Sequence, residues 1–366
     1  MSEPLKIAHV GLGRMGWSHA RHITEIAAET GSCELVAVAD ADHDRAERFA
    51  AEHAPQARIF TSAQDLADAQ VCSATMVVTP TEKHRENATT LIRVGHRVLL
   101  EKPLTGTLQG DREFAAELER DHPRALMLAF QRRFDPALAY ARELVSQGAI
   151  GRMFKIYSAM EDSGPAPNGY QSDGILPDMS IHNVDEILWF AGKMPKSALA
   201  VGSRIYSHKL TTCNEDFDDA MLFLWFDDGA VGQVQVTRNH VSGYRVETSI
   251  YGDKGQIQVG RYSQKPEEIV VQAYGPRFTA EPIAHKVFPG AVDRPDVPEF
   301  VARFGPAYKA EVVKFIECCR NGSDFPITHR DGLRAQEVIA AGMQKMLTAK
   351  DGSPMHASAK TSTSHL

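Results

Sequence analysis

The sequence predicts an α/β protein of two domains. A doubly wound parallel sheet comes first, followed by an α/β domain with a large, mostly antiparallel open sheet. Three observations carry this. The first 130 residues alternate short apolar runs with segments of helical spacing. A glycine-rich turn, Gly11-Leu12-Gly13-Arg14-Met15-Gly16, joins the first run to the first helical segment. After about Arg133 longer strands appear in which apolar and polar residues alternate. Short, wholly apolar strands between helices read as βαβ units with both sheet faces covered. Right-handed crossovers then wind the sheet doubly.

Along the chain, strands are expected at Lys6–Val10, Leu35–Ala39, Met76–Val78, Arg97–Leu100 and Ala125–Phe130. Helices are expected between them at Met15–Ala28, Asp44–His53, Glu82–Val94 and Leu108–Glu119. Asp135-Pro136 is an N-cap followed by proline, so a helix is expected over Asp135–Ser146. Leu222–Phe226 and Val231–Thr237 flank the turn residues Asp227-Asp228-Gly229 and predict a hairpin. Glu247–Tyr251 and Gln256–Val259 form a second pair around Gly252-Asp253-Lys254-Gly255. Helices at Ala307–Arg320 and Asp331–Thr348 close the fold. The domains expected are 1–130, 131–349 and a flexible tail, 350–366.

Composition bounds the function. At roughly 150 residues per domain, 366 residues make about two domains. With 43% hydrophobic and 24% charged residues the chain has material for a real core. A net charge of −7 gives no electrostatic reason to hold nucleic acid or anionic lipid. No apolar run approaches the roughly 20 residues of a membrane helix. The start, Met1-Ser2-Glu3-Pro4-Leu5-Lys6, has no signal-peptide pattern. Cys33, Cys72, Cys213, Cys318 and Cys319 are odd in number and scattered, without a CxxC. A reducing cytoplasm is expected, and a thiolate metal site is not.

The glycine turn has the arrangement a dinucleotide requires. Gly11 allows the tight turn, Gly13 lets the backbone approach a pyrophosphate, and Gly16 lets helix and strand pack closely. The helix N-terminus offers free N–H groups and a positive dipole end to the phosphates. Asp40, ending the second strand, is placed to accept hydrogen bonds from the ribose hydroxyls and to repel a 2′-phosphate, which favours NAD. A glycine turn plus a helix-capping aspartate is the plainer alternative. The other strand ends matter because ligands bind outside the carboxyl ends of such sheets. They carry Thr79-Pro80-Thr81 with His84, then Glu101-Lys102-Pro103, then Gln131-Arg132-Arg133. Lys102 beside a cofactor is able to hydrogen-bond a substrate oxygen; a surface lysine is its ordinary alternative.

In the second domain, Asp178-Met179-Ser180-Ile181-His182-Asn183-Val184-Asp185 reads as a helix start. At about 100° per residue, Asp178, His182 and Asp185 share one face within about 60°. Ile181, Val184, Ile187 and Leu188 take the other. Histidine is suited to take a proton near neutral pH, and a carboxylate orients it. An exposed amphipathic helix carries the same pattern. Asp178 and His182 have metal-ligand spacing, but no further ligands stand out, so no metal is expected. Two loops, Glu161-Asp162 with Asn168 and Tyr170, and Asn239 to Arg245, are able to line a polyol site or to be ordinary polar turns.

Together these motifs resemble the glucose–fructose oxidoreductase/inositol dehydrogenase family (Gfo/Idh/MocA). The matching segments are GLGRMG with Asp40, VVTPTEKH at 77–84, LEKPLT at 100–105, QRRFDP at 131–136, DMSIHNVD at 178–185 and YRVETSIYGDKG at 244–255. They cover the chain from Lys6 to about Leu347. The resemblance implies a Rossmann domain, NAD as cofactor, and a second domain whose sheet forms homodimers or homotetramers. It implies oxidation of a cyclic polyol such as myo- or scyllo-inositol. Lys102 matches the EKP lysine, His182 the proposed general base, Asp178 its acidic partner and Asp185 a substrate-hydroxyl ligand. The cofactor site is expected from Gly11, Gly13, Arg14, Met15, Gly16, Asp40, Thr79, Pro80, His84, Glu101 and Lys102. Arg132 or Arg133 and Tyr244 are expected to flank the substrate. Asp173-Gly174-Ile175-Leu176-Pro177 and Glu161-Asp162 depart from the inositol-type pattern, which bears on the particular polyol. Rival readings are an aldose or glucoside dehydrogenase, a silent nucleotide-sensing regulator, and an NAD-dependent glycosidase.

Overall fold

The computed structural model describes residues 3–164, 172–204, 216–260, 268–277, 281–290, 298–349 and 356–357. They divide into two compact units, Met1–Phe134 with Phe304–Leu333, and Asp135–Arg303 with Arg334–Leu366.

The first unit begins with β1 (Leu5–Val10), α1 (Arg14–Thr30), β2 (Cys33–Ala39) and α2 (His43–His53). It continues through β3 (Arg58–Phe60), α3 (Ala63–Ala69), β4 (Ala74–Val77), α4 (His84–Arg93), β5 (Arg97–Glu101), α5 (Leu108–Asp121) and β6 (Leu126–Ala129). All six strands are parallel, in the order β3-β2-β1-β4-β5-β6. The order reverses direction between β1 and β4, the switch point outside which such sheets bind ligands. The helices start where their side chains satisfy free N–H groups. Asp42 accepts from Arg45 N, Ser62 from Asp65 N, and Thr107 from Gly110 N. The three-residue β3 and the seven-residue α3 were not expected, because elements this short carry too little periodicity to read.

The core of this unit joins Ile7, Val38, Met76, Leu99 and Met127 of the strands with Ile23, Ile26 and Phe49 of the helices. It also includes Val312, Phe315, Ile316 and Phe325. The sequence reading assigns 304–333 to the second domain, but this apolar face packs with the first. Burying each phenylalanine there contributes about 1.5–3 kcal/mol. Arg97 donates to Ser323 O at 2.6 Å, and its guanidinium stacks on Phe325, 3.8 Å from the ring centroid.

The second unit contains α6 (Pro136–Ser146), β7 (Met153–Glu161), α7 (Ile181–Ala191) and β8 (Ser197–Ser203). Then follow β9 (Asp219–Trp225), β10 (Val231–Thr237), β11 (Arg245–Gly252), β12 (Gly255–Val259), β13 (Glu268–Tyr274) and β14 (Ala284–Pro289). The last elements of the chain are α8 (Glu299–Asn321), α9 (His329–Gln344), β15 (Leu347–Ala349) and β16 (His356–Ala357). The sheet has ten strands in the order β14-β13-β12-β11-β7-β10-β9-β8-β15-β16. Both expected hairpins are present. Only β7 with β10 and β8 with β15 run parallel. Val234 and Val236 are buried while Gln233 and Gln235 are half-exposed, the alternation of a sheet covered on one face. α7 covers that face closely: a Cβ at Gly232 would lie 3.1 Å from Ile187 Cγ2.

Two helix boundaries differ most from expectation. α8 starts earlier, at Glu299. α9 ends at Gln344 rather than Thr348, and Leu347–Ala349 instead pair with β8. An open strand edge offers backbone partners that outcompete another helical turn. Most of the tail 350–366 lies outside the described residues, as do Asn168, Tyr170 and Cys213; His356–Ala357 pair with Leu347–Thr348.

One buried acid in the first unit sets a pH dependence. Glu311 is fully buried, and neither carboxyl oxygen has a hydrogen-bond partner among the described residues. Burial, and then the charge of Glu101, push its pKa well above the usual carboxylate range. The folded state therefore holds this proton more tightly than the unfolded chain. The stability it confers is complete below the unfolded pKa and is lost as pH rises through the folded one. Glu311→Gln keeps the shape and cannot ionise. Its Tm relative to wild type is expected to climb as thermal unfolding is followed from acid to alkaline pH. A constant difference across that series would show that Glu311 is not the neutral acid.

Candidate active site

In the first unit the glycine turn is built by close backbone contact. Gly11 has φ +92°, and a Cβ there would lie 2.4 Å from Val78 O. A Cβ on Gly16 would lie 1.9 Å from Gly11 O, whereas one on Gly13 meets nothing within 4 Å. The outer glycines are thus required by packing, and the middle one leaves the backbone open to a ligand. α1 has no side-chain cap and no acid in its first turn. Its first N–H groups keep their positive end for an anion. Arg14 is exposed at this turn, and Met15 packs against the core.

Asp40 holds the turn as well as facing its mouth. Its Oδ2 accepts Leu12 N at 2.6 Å, and Oδ1 accepts Asp42 N at 2.8 Å. Arg45 Nη1 lies 3.3 Å from Oδ1, and Arg45 Nη2 is 3.0 Å from Asp42 Oδ2. Arg45 was missed in the sequence because it stands five residues on, inside a helix. Asp40 and Asp42 together leave the cluster one negative charge in excess, which still disfavours a 2′-phosphate. The cradle fits NAD: an open glycine, unspent N–H groups and a carboxylate at the end of β2.

At the next strand ends, His84 is a staple. Its Nδ1 is 2.7 Å from Pro103 O and its Nε2 2.9 Å from Thr79 O. Burial lowers its pKa despite both carbonyls. Asn87 donates to Thr79 Oγ1 at 3.1 Å, and Pro80 is exposed. Glu101 Oε1 is 3.0 Å from His19 Nε2, and Oε2 accepts Lys102 N at 2.9 Å. Burial pushes the Glu101 carboxyl up, but the His19 hydrogen bond and the charges of His19 and Lys102 outweigh it and hold it low. Both Glu101 oxygens therefore fix the backbone that presents the half-buried Lys102. Arg132 is buried with its guanidinium 5.5 Å from the Phe304 ring centroid. Arg133 pairs with Asp331 at 2.9 Å.

In the second unit, Asp178 lies in a π-helical turn, Leu176–Ser180, that leads directly into α7. Ser180 Oγ donates to Leu176 O at 2.6 Å within it. This corrects the expected α-helical projection, because a π turn winds fewer degrees per residue. The alternative of an exposed amphipathic helix is not what the structure has. His182 is 9% exposed and Asp185 1%, and every residue from Met179 to Leu188 is buried. Asn183 donates to Ser158 Oγ at 2.7 Å. Asp178 Oδ2 receives Arg238 Nη2 at 2.9 Å. Arg238 was not picked out; its only signal is a cation directly after a strand, in a segment already rich in polar residues.

Tyr244 is half-buried just before β11. Beside it Arg245 Nη1 meets Glu161 Oε2 at 2.9 Å, and Gln235 donates to Glu161 Oε1 at 2.6 Å. Glu161 is thus held within the sheet, while Asp162 N donates to Thr237 O at 2.9 Å. Among the described residues one trio has metal-ligand side chains close together, His43, Asp44 and Glu47, all exposed on α2.

A parallel sheet with an open glycine cradle, in one chain with a domain that carries an Asp–Arg pair and a buried histidine, defines a two-domain dinucleotide-dependent oxidoreductase. Residues 5–130 match the NAD-binding Rossmann fold of an oxidoreductase family, and residues 142–353 match its C-terminal alpha/beta domain. The chain belongs to the Gfo/Idh/MocA oxidoreductase family, as its motifs indicated, and is an NAD-dependent oxidoreductase. It is 28% identical to the scyllo-inositol 2-dehydrogenase (NAD(+)) of Bacillus subtilis (strain 168), over 96% of this chain and 98% of that protein. It is 27% identical to the inositol 2-dehydrogenase of Rhizobium meliloti (strain 1021), over 92% and 95% of the two chains. The structure of scyllo-inositol dehydrogenase from Lactobacillus casei with bound NAD(H) and scyllo-inositol is similar, with TM-score 0.76 and 27% identity, covering 92% of this chain and 95% of that one.

Asp40→Ala is expected to lower affinity for NAD relative to NADP about tenfold or more, the loss of a charge-assisted hydrogen bond. It also releases Arg45 towards a 2′-phosphate. Calorimetric titration with both cofactors checks this. An unchanged ratio of Kd values would remove Asp40 from ribose recognition.

Proposed function

We propose that this protein oxidises a secondary hydroxyl of an inositol-type cyclic polyol to a ketone. The observation that carries the reading is that likeness to an NAD-dependent scyllo-inositol dehydrogenase spans 96% of the chain. It therefore includes the unit that selects the substrate as well as the cofactor domain.

When bound, NAD supplies the acceptor for the electron pair that leaves with the carbinol hydrogen. This chain's residues handle the proton and the oxygen. His182 takes the hydroxyl proton, a role suited to an imidazole near neutral pH. Lys102 donates a hydrogen bond to the same oxygen as it becomes a carbonyl. Asp178 orients the imidazole. Asp185 accepts from a neighbouring ring hydroxyl, and Arg132 and Tyr244 flank the ring. Buried polar partners of this kind reject analogues lacking a hydroxyl, because one partner is then left unpaired. Gly11, Gly13, Arg14, Met15, Gly16, Asp40, Thr79 and Pro80 form the cofactor cradle, supported from behind by His84 and Glu101.

The enzyme acts as a homodimer or homotetramer through the uncovered face of the ten-stranded sheet. Met221, Phe223 and Trp225 project from β9, and Trp225 stands in register with Val231 of β10, itself opposite Lys155 of β7. Trp225 is 41% exposed and Met221 36%. A contiguous aromatic patch of this kind is suited to a second copy of the chain. Cys33, Cys72, Cys318 and Cys319 are free thiols, which supports a reducing, cytoplasmic setting. No helix among the described residues is long and apolar enough to cross a membrane.

NADH formation is expected with myo- or scyllo-inositol in a panel that also contains glucose, galactose, xylose and glucosides. Turnover of pyranoses alone would replace the polyol reading. His182→Ala and Lys102→Ala are each expected to lower kcat about 10²-fold or more with NAD binding retained. Near-wild-type turnover would remove that residue from the reaction. Trp225→Glu is expected to yield a smaller species in analytical ultracentrifugation. An unchanged sedimentation mass would place the subunit contact elsewhere.

A further inference from the structure

We propose that Arg238 is a positioning residue that holds Asp178 as a fixed, ionised carboxylate in the turn before His182, leaving the reacting proton to His182. This rests on the reading of Asp178 and His182 as site residues.

The geometry begins at the entrance to the π turn. Gly174 has φ +104°, and Asp216 Oδ1 accepts Ile175 N at 2.8 Å and Phe217 N at 2.8 Å. Inside the turn, Arg238 Nη2 reaches Asp178 Oδ2 at 2.9 Å. Both holders come from neighbouring strand ends. Asp216 precedes β9 and Arg238 follows β10, and Arg238 N donates to Asp218 O at 3.1 Å. Thr237 Oγ1 donates to the same carbonyl at 3.2 Å. The helix that carries His182 is thus gripped at its start by the paired ends of two strands. π turns are rare and gather at functional sites.

The pair is asymmetric. The Arg238 side chain is 3% exposed and that of Asp178 15%. The guanidinium is the buried half, and the carboxylate is the half presented outward. Arg238 Nε is buried with no hydrogen-bond partner among the described residues. A buried donor left without a partner calls for an explanation beyond packing.

Charge explains why a cation is needed. The charged groups on the elements that converge here are the acids Asp173 ahead of the turn, Asp185 and Glu186 on α7, and Asp216, Asp218 and Asp219 at β9, with Arg204, which donates to Asp216 O, as a further cation. Burial, and then the Asp178 charge, already raise the Asp173 carboxyl. Arg245 and His240 lie towards β11, but Arg245 is taken by Glu161 and Glu247. Arg238 is the cation paired with Asp178. Without it, Asp178 takes up a proton and becomes a second titrating group beside the base.

The test compares Arg238→Gln and Arg238→Lys with wild type, on whichever panel compound the wild type oxidises, per NAD-binding site. Arg238→Gln is expected to lose about 10²-fold in kcat with the Kd for NAD unchanged, the scale of a misplaced catalytic group. The acid limb of its kcat/KM profile is expected to steepen from one proton to two. Arg238→Lys restores the charge and is expected to return the one-proton limb and part of kcat. Potentiometric titration of wild type against Arg238→Gln reads the same event without turnover: one extra proton bound per chain on the acid side of neutrality. Oxidation of pyranoses alone would defeat the inositol reading and leave this test intact. A one-proton limb, no extra bound proton, or kcat per NAD site within twofold of wild type would overturn the role of Arg238 and reduce it to a fold contact.

Discussion

The hydrogen bond from Leu12 N to Asp40 Oδ2, at 2.6 Å, is the contact on which the first unit's architecture turns. A strand that ends in a tight glycine turn leaves backbone N–H groups without strand or helix partners, and buried ones must be satisfied. Asp40 satisfies one of them from the end of β2, while Gly11 N donates to Ala39 O at 2.7 Å. The turn is therefore locked to the neighbouring strand. That leaves the N–H groups at the start of α1 unspent and directed at the cofactor mouth. Close contacts at Gly11 and Gly16 serve the same end, since any side chain there would push α1 off the strands.

The same device recurs at each strand end that carries chemistry. A carboxylate is buried where a polar backbone or a cation repays its desolvation. Glu101 is held by His19 and the Lys102 amide, Glu161 by Arg245 and Gln235, and Asp178 by Arg238. Glu311 shows the opposite case: among the described residues no hydrogen-bond partner meets its carboxyl oxygens, and the proton stays on. Position in the fold thus sorts chemically similar acids into anchors, site groups and neutral fillers. Net charge records none of this.

What was legible in the sequence follows from how local each interaction is. The glycine turn, Asp40 and the strand–helix alternation are read within about forty residues, and they were recovered. The turns at Asp228-Gly229 and Asp253-Lys254 announce their hairpins for the same reason. The parallel pairing of β7 with β10 joins residues far apart in the chain, and no short pattern encodes it. The return of Val312, Phe315 and Phe325 to the first core is likewise invisible to periodicity, which shows that a face is apolar but not what it meets. The helix of His182 was placed correctly, but its pattern left a solvated face open as an alternative. In the structure His182 and Asp185 are buried and Asp178 is half-buried against Arg238. The π turn shifted the phase of the projection at Asp178, and Arg45 and Arg238 entered from outside the motifs they serve.

These two arginines show how the site's charge is set by pairs rather than by motif residues alone. Arg45 lies against Asp40 and Asp42 and is outnumbered by them, so the cofactor end keeps an excess negative charge. Arg238 meets one carboxylate and cancels it. Arg245 is outnumbered by Glu161 and Glu247. Each of these three cations is matched or outnumbered by carboxylates whose remaining lone pairs can accept further hydrogen bonds. Beside the proposed roles of Lys102 and Arg132, such carboxylates supply acceptors suited to the hydroxyls of the proposed polyol.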